Sequence, residues 1–266
     1  MHSITEHRKR YRGYIGFITT PRYFDDSTQQ FLDIAPKGIG VMQRVLHIPD
    51  YTYELGQRAK NFDLLEESAE ALAKSHVTVV GQTGTNWVHC NGTTPDEIEK
   101  ICADISNRID ATFLMAGHCI VKALRAIGAK RITVANGYYR PDWKAGINGY
   151  LEAAGFEILY AGNLVDQGFY GSFDDLQRAE AESHWDHPPS EVVGACLKAH
   201  QAAPDADAVV QTGSGMRTGP YVEAIEGLTG KPLISSDLAL FWAMLDILNL
   251  GEGVLDRGHL MRSLIK

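Results

Sequence analysis

Short, largely apolar runs alternate along this chain with longer stretches whose apolar residues recur at helical spacing. Tyr14 to Ile18, Val41 to Ile48, Val79 to Gly81, Thr112 to Ala116, Arg131 to Ala135, Phe156 to Tyr160, Val209 to Val210 and Pro232 to Ser235 have the character of buried strands. Between them, Leu64, Leu65, Ala69 and Leu72 put an apolar stripe on a helix from Leu64 to Ser75. Thr94-Pro95-Asp96-Glu97 combines an N-cap, a first-turn proline and two acids, which predicts a helix running to about Ile109. Helices are also expected over Ile120 to Ile127, ended by Gly128, and over Trp143 to Ala154, ended by Gly155. Leu176 to His200 is helical with a break at His187-Pro188-Pro189-Ser190, and Tyr221 to Leu228 is a further helix. The apolar helix Leu238 to Leu248 is predicted to pack across the back of the molecule.

The alternation repeats itself. Val79-Val80-Gly81-Gln82-Thr83-Gly84-Thr85-Asn86 and Val209-Val210-Gln211-Thr212-Gly213-Ser214-Gly215 both empty into Gln-Thr-Gly and a small hydroxyl residue. Arg12 to Phe17 with its Thr-Pro-Arg exit resembles Lys130 to Val134 with its Tyr-Tyr-Arg exit. Each half runs first strand, helix, Gln-Thr-Gly strand, and such alternation calls for parallel sheets with right-handed crossovers. The predicted fold is therefore α/β, with two pseudo-symmetric lobes, parallel sheets and an active-site cleft between them. Residues 1–116 plus 236–266 are assigned to the first lobe and 117–235 to the second. One large doubly wound sheet is the alternative.

In such sheets ligands collect at the carboxyl ends of strands, where glycine lets backbone N–H groups approach an anion. Gly84, Thr85 and Asn86 from one half, and Gly213, Ser214 and Gly215 from the other, offer hydroxyls, an amide and N–H groups. That set suits a carboxylate whose charge grows as an enediolate forms. The same residues also suit plain strand-to-helix turns with caps. Thr20 and Arg22, in the loop after the first strand, make a third wall. Tyr138 stands just past a strand end, where a phenol can steady an oxyanion or carry a proton, or merely pack. His118 and Cys119 mark a strand-to-helix junction whose positive end would lower both pKa values, or they are a cap and a core residue. Arg22 or Arg217 is a partner for a second carboxylate, unless Arg217 caps a helix. Specificity is expected in the loops Thr20 to Asp26 and Gly162 to Ser172. His184, Asp186 and His187 match no zinc spacing and read as a solvated loop, and His89 and Cys90 read as a surface turn at Asn91-Gly92.

Composition narrows the partners. With 266 residues, 44% of them hydrophobic, the chain can build a core. A net charge of −8 and a pI near 5.7 argue against a nucleic-acid surface, and the basic stretch His7 to Arg12 reads as a solvated leader. No apolar run approaches the ~18 residues a membrane span needs, and no signal-peptide profile opens the chain, so a cytoplasmic location is expected. Cys90, Cys102, Cys119 and Cys196 lack CxxC spacing, so reduced thiols and no metal are expected. The oligomeric state is left open, a homo-oligomer included.

These residues together resemble the aspartate/glutamate racemase superfamily, and within it the arylmalonate decarboxylase and maleate isomerase branch. The resemblance extends from Ile15-Gly16-Phe17-Ile18 to Phe241-Trp242 and is most specific in Pro204-Asp205-Ala206-Asp207, Met216-Arg217-Thr218 and Lys231-Pro232-Leu233-Ile234-Ser235-Ser236. Leu124-Arg125-Ala126-Ile127-Gly128 and Leu151-Glu152-Ala153-Ala154-Gly155-Phe156 match as well. It implies two pseudo-symmetric lobes, no cofactor and a small carboxylic acid held between them. Racemases and maleate isomerases of the superfamily place a cysteine in each lobe, whereas the malonate decarboxylases keep only the second. The matching positions here are Gly84 and Gly213, so neither thiol is expected. Gly84-Thr85 match the decarboxylase oxyanion cradle, Asn86 replaces a serine, and Tyr138 matches the family's tyrosine.

The expected function is a cofactor-independent, decarboxylase-like lyase acting at the carbon alpha to a carboxylate of a small malonate-like or dicarboxylic acid through an enediolate. Tyr138, His118, Cys119 or a held water would supply the proton, in that order. The alternatives are an isomerase or racemase with a rebuilt acid-base pair such as His118 and Tyr138, and a non-catalytic carboxylate-binding protein.

Overall fold

The computed structural model describes residues 11–21, 24–250, 254 and 257–264; Arg22 and the leader before Tyr11 lie outside the described residues. The described residues form β1 (Gly13–Thr19), β2 (Ile39–Val45), β3 (Val79–Gln82), β4 (Thr112–Met115), β5 (Arg131–Gly137), β6 (Glu157–Asn163), β7 (Ala208–Gln211) and β8 (Leu233–Ser235). They build two four-stranded sheets, ordered β2-β1-β3-β4 and β6-β5-β7-β8, and every neighbouring pair is parallel. The orders superimpose when four is added to each strand number, so the expected pseudo-symmetric pair is present and the single doubly wound sheet is not.

The repeated Gln-Thr-Gly has a local cause. Each glutamine is fully buried at the end of its strand, and its side-chain amide braces the turn that follows. Gln82 Nε2 donates to the Gly84 carbonyl at 3.1 Å, and Gln211 Nε2 donates to the Thr212 and Ala135 carbonyls at 2.8 and 3.0 Å. Each threonine extends the ladder by one bond, Thr83 N–H to Ile18 at 2.9 Å and Thr212 N–H to Ala135 at 3.0 Å. Each glycine then turns the chain at nearly the same positive φ, +83° at Gly84 and +90° at Gly213. A residue with a Cβ rarely adopts that conformation. The chain then continues into short 3₁₀ turns, Thr85–Val88 and Ser214–Met216.

The capping box at Thr94 is formed, Glu97 N–H to the threonine hydroxyl and Thr94 N–H to the glutamate, and its helix spans Pro95–Ile109. The break at residues 184–188 separates helices Phe173–Ser183 and Pro189–Ala202. Four expectations need correction. Helix Ala116–Ala126 starts four residues early because Ala116 and Gly117 are small enough for its first turn to press on the Thr85 carbonyl, only 2.7 Å from where a Cβ on Gly117 would lie. β6 runs on to Asn163, taking the first residues of the supposed glycine-rich loop into the sheet. Helices Ser27–Ile34 and Leu55–Lys60 were not foreseen. Lastly, the apolar helix Ser236–Leu248 does not cover the back. It packs centrally, against helix Ala116–Ala126 and β3, where the bare Gly81 admits Leu240 and Met244 and where Phe241 meets Phe17 and Phe31 edge-on at 5.9 and 5.4 Å. No helix among the described residues is long and apolar enough to cross a membrane.

Candidate active site

The Gly84 turn and Ser214, just after the Gly213 turn, border a common cavity, partly open to solvent. Thr20, Gly84, Thr85 and Asn86 line it from the first sheet's strand ends, and Tyr138, Tyr139 and Ser214 from the second's. A Cβ on Gly84 would stand 2.7 Å from Thr20 Cγ2, and one on Gly213 would stand 3.0 Å from both Tyr138 and Tyr139. Bare backbone at these two points is therefore what keeps the cavity open.

Two hydroxyl contacts organise the floor. Thr85 Oγ1 is hydrogen-bonded to Tyr139 OH, joining the strand ends of the two sheets. Gly215 N–H donates to Tyr138 OH at 3.2 Å, so an amide that can stabilise a phenolate already points at this phenol. The Tyr138 ring is fixed by neighbours from the 184–188 segment, with His187 stacked on it at 5.3 Å and 6° and Trp185 edge-on at 5.0 Å. Burial pushes the Tyr139 phenol well above its ordinary pKa, so it remains a hydroxyl.

The other predicted residues fall elsewhere. His118 and Cys119 lie inside helix Ala116–Ala126 and border none of this cavity. His118 is buried between Tyr150 OH, 2.9 Å from Nδ1, and the Glu99 carboxylate on Nε2. Its pKa is lowered, but by burial, with Glu99 opposing. Cys119 contradicts the expected direction, because full burial raises its thiol pKa. Cys102 and Cys196 are likewise pushed up to about 12, and half-buried Cys90 to about 11. Arg217 is held by Asp26 at 2.9 and 3.0 Å and by the Trp185 carbonyl at 2.9 Å, which makes it a strut at the rim.

Several site residues carried no sequence signal. Arg58, on helix Leu55–Lys60, is only 4% exposed yet borders the cavity, together with Tyr53, Trp87, Trp143 and Trp185. His89 is not a surface residue: it is buried, and its Nε2 lies 3.1 Å from Asn86 Oδ1. Burial, reinforced by Arg58, lowers its pKa to about 4, so a neutral imidazole holds Asn86 at neutral pH. Of the loop read as solvated, His184 and Asp186 are exposed but His187 is buried, its Nδ1 2.8 Å from Glu191 Oε2.

Beyond Tyr53, Tyr138, Trp143 and Trp185 the cavity opens into an outer basin that also contains Glu180. Glu180 is 4% exposed and its Oε1 has no hydrogen-bond partner. Burial, and then the Glu191 charge, raise its pKa from 4.5 to about 8. An acid with a raised folded-state pKa is at full stability below the unfolded value and loses it as pH rises from 4.5 through about 8. Glu180→Gln should therefore gain on the wild type by on the order of 3 kcal/mol between pH 5 and pH 8.5. Paired thermal melts at the two pH values read this difference, and an equal offset at both would refute it.

Among the described residues the inner lining includes no carboxylate, imidazole or thiol, and its titratable groups are Tyr53, Arg58, Tyr138 and Tyr139. Hydroxyls, backbone amides and a buried guanidinium set among aromatic walls make a site for a small anion with an apolar body.

The profile of the arylmalonate decarboxylase family matches residues 57–261. Arylmalonate decarboxylase from Bordetella bronchiseptica is 25% identical over 187 residues, covering 69% of this chain and 72% of that protein. A crystal structure of arylmalonate decarboxylase superimposes with a TM-score of 0.73 at 19% identity, over 94% of this chain and 99% of the other. A Nocardia farcinica maleate cis-trans isomerase mutant with a covalently bound succinylcysteine intermediate gives 0.75 at 20% identity, over 94% and 98%. At these identities the structural likeness speaks to the fold, and the relatives themselves are enzymes.

Proposed function

The chain belongs to the arylmalonate decarboxylase family, and from that premise we propose that it is a cofactor-independent lyase acting at the carbon alpha to a carboxylate of a small malonate-like or dicarboxylic acid, without a cysteine in the chemistry. The observation that carries this reading is the cavity lining, which brings the Gly84-Thr85-Asn86 turn of one sheet together with Tyr138 and Ser214 of the other and, among the described residues, includes no thiol. The isomerase relative holds its intermediate on a cysteine sulfur. On the family resemblance Gly84 matches a position that is glycine in the decarboxylases and cysteine in the isomerases, and Gly213 matches the cysteine both keep; none of the four cysteines borders the cavity.

One carboxylate of the acid lies against Thr85, Asn86 and the Gly84 turn. The bond from the α-carbon to the other carboxyl group breaks, that group leaves as carbon dioxide, and the bonding pair enters the retained carboxylate as an enediolate. Preorganised donors are worth most at that point, when a second negative charge develops in a site shielded by aromatic rings. Tyr138 then gives its proton to the α-carbon, and the phenolate, stabilised by Gly215 N–H, recovers one from solvent. Isomerisation through a proton on each face would need a second carrier opposite Tyr138. Tyr139 is committed to Thr85, and His118 lies outside the lining, so the lyase reading is preferred.

The test is a panel of substituted malonates and unsaturated dicarboxylic acids in deuterium oxide, followed for carbon dioxide and for deuterium at the α-carbon. Release with one deuterium incorporated is the expected result. Exchange or isomerisation without release would overturn the lyase assignment, and tight binding with no conversion of any acid would leave a carboxylate-binding protein.

A further inference from the structure

Arg58 is the most unusual charge in the molecule. Its guanidinium lies over the Trp143 ring at 4.6 Å and near Tyr51 at 5.5 Å. Nη1 donates to the Tyr53 carbonyl at 2.7 Å, while Nε has no acceptor, and no carboxylate among the described residues pairs with it. A second guanidinium crowds the same place, since Arg140 also donates to the Tyr53 carbonyl, at 3.3 Å, and lies over Trp143 at 4.8 Å. Arg140 Nε is buried without an acceptor too, and the one acid pairing with it, Asp142, is half exposed at 3.5 Å. Two like charges drawn to one carbonyl and one ring, with no buried anion between them, are costly unless a ligand brings the anion.

Resting on the carboxylate-site reading above, we propose that Arg58, reinforced by Arg140, binds a second anionic group of the substrate, one that the reaction retains. Retention follows from electrostatics. A guanidinium stabilises a carboxylate as the ion, whereas decarboxylation turns the departing carboxylate into a neutral molecule, so pairing it with Arg58 would oppose the reaction. The group at Arg58 is therefore neither the one lost nor the one activated between Thr85 and Tyr138. The substrate class this selects is a malonate whose α-substituent ends in an anion, with the substituent's carbon chain lying along Trp143 and Tyr53. The guanidinium is held over the Trp143 ring before any ligand arrives, which reduces the entropy lost when an anion binds.

Calorimetry with α,ω-dicarboxylates from malonate to adipate, each compared with the monoacid of equal length, tests this without turnover. In the wild type at least one diacid should bind tenfold or more tighter than its monoacid, the loss expected for one charge-assisted bond. Arg58→Gln should abolish that margin while leaving monoacid affinity in place, and Arg58→Lys should restore part of it. A wild type that binds diacids no better than monoacids would overturn the assignment, as would a margin that survives in Arg58→Gln. Should Arg58→Gln fail to fold, the wild-type margin and its partial retention in Arg58→Lys still decide. Failure of the lyase reading registers separately, as absence of carbon dioxide in the acid panel.

Discussion

Replacing Tyr138 with phenylalanine is expected to lower turnover by roughly 100-fold or more while leaving the protein folded. The ring keeps its stack on His187 and its edge contact with Trp185, so packing under the cavity is preserved. What disappears is the hydroxyl beside Gly215 N–H, an amide placed to stabilise the charge left by proton donation. The melting temperature should move by no more than about 4 °C, in keeping with one lost hydrogen bond. Near-normal turnover would remove Tyr138 from the chemistry and pass protonation to a held water.

Gly84→Ala should be nearly as damaging for a different reason. The position sits at φ +83°, and the added methyl would lie 2.7 Å from Thr20 Cγ2. The backbone conformation alone costs on the order of 1–3 kcal/mol for a residue with a Cβ, lowering the melting temperature by roughly 2–10 °C. Relief of the contact pushes Thr20 and the Thr85 turn apart, and misplacement of an oxyanion cradle by about an ångström can reduce turnover on the order of 100-fold. Wild-type melting together with wild-type turnover would show that neither the conformation nor the clearance at Gly84 matters.

How much of this was legible in the sequence depended on whether the cause was local. The two Gln-Thr-Gly turns were, because the buried amide of Gln82 or Gln211, the threonine ladder bond and the positive φ of the glycine are all set within a few residues. The capping box at Thr94 and the proline break after His187 were legible for the same reason. Arg58 was not. It lies on a six-residue helix too short to show apolar periodicity, and its burial comes from Trp143, 85 positions along the chain by its number and beneath the other sheet. Arg217 shows the same limit, since its partners Asp26 and Trp185 lie on other, non-adjacent parts of the chain and make it a strut.

His118 and Cys119 illustrate the opposite failure. Their place after a strand suggested a helix tip facing the cleft, but Ala116 and Gly117 let the helix begin at once, and its next residues turn toward Glu99 and the core. Burial then outweighs the helix end and raises the Cys119 pKa. The 184–188 segment reads as a solvated loop from its polar residues, yet Trp185 borders the cavity and His187 is buried.

The central claim is that this cleft performs carbanion chemistry with hydroxyls and backbone amides, and no thiol. The most direct measurement repeats the acid panel in deuterium oxide on native protein before and after exhaustive treatment with iodoacetamide. A cysteine able to touch substrate would also be open to the reagent, whereas Cys102, Cys119 and Cys196 are buried and only half-buried Cys90 is within reach. The account predicts that carbon dioxide release and α-deuteration continue at an unchanged rate. Abolition of both by alkylation would contradict it.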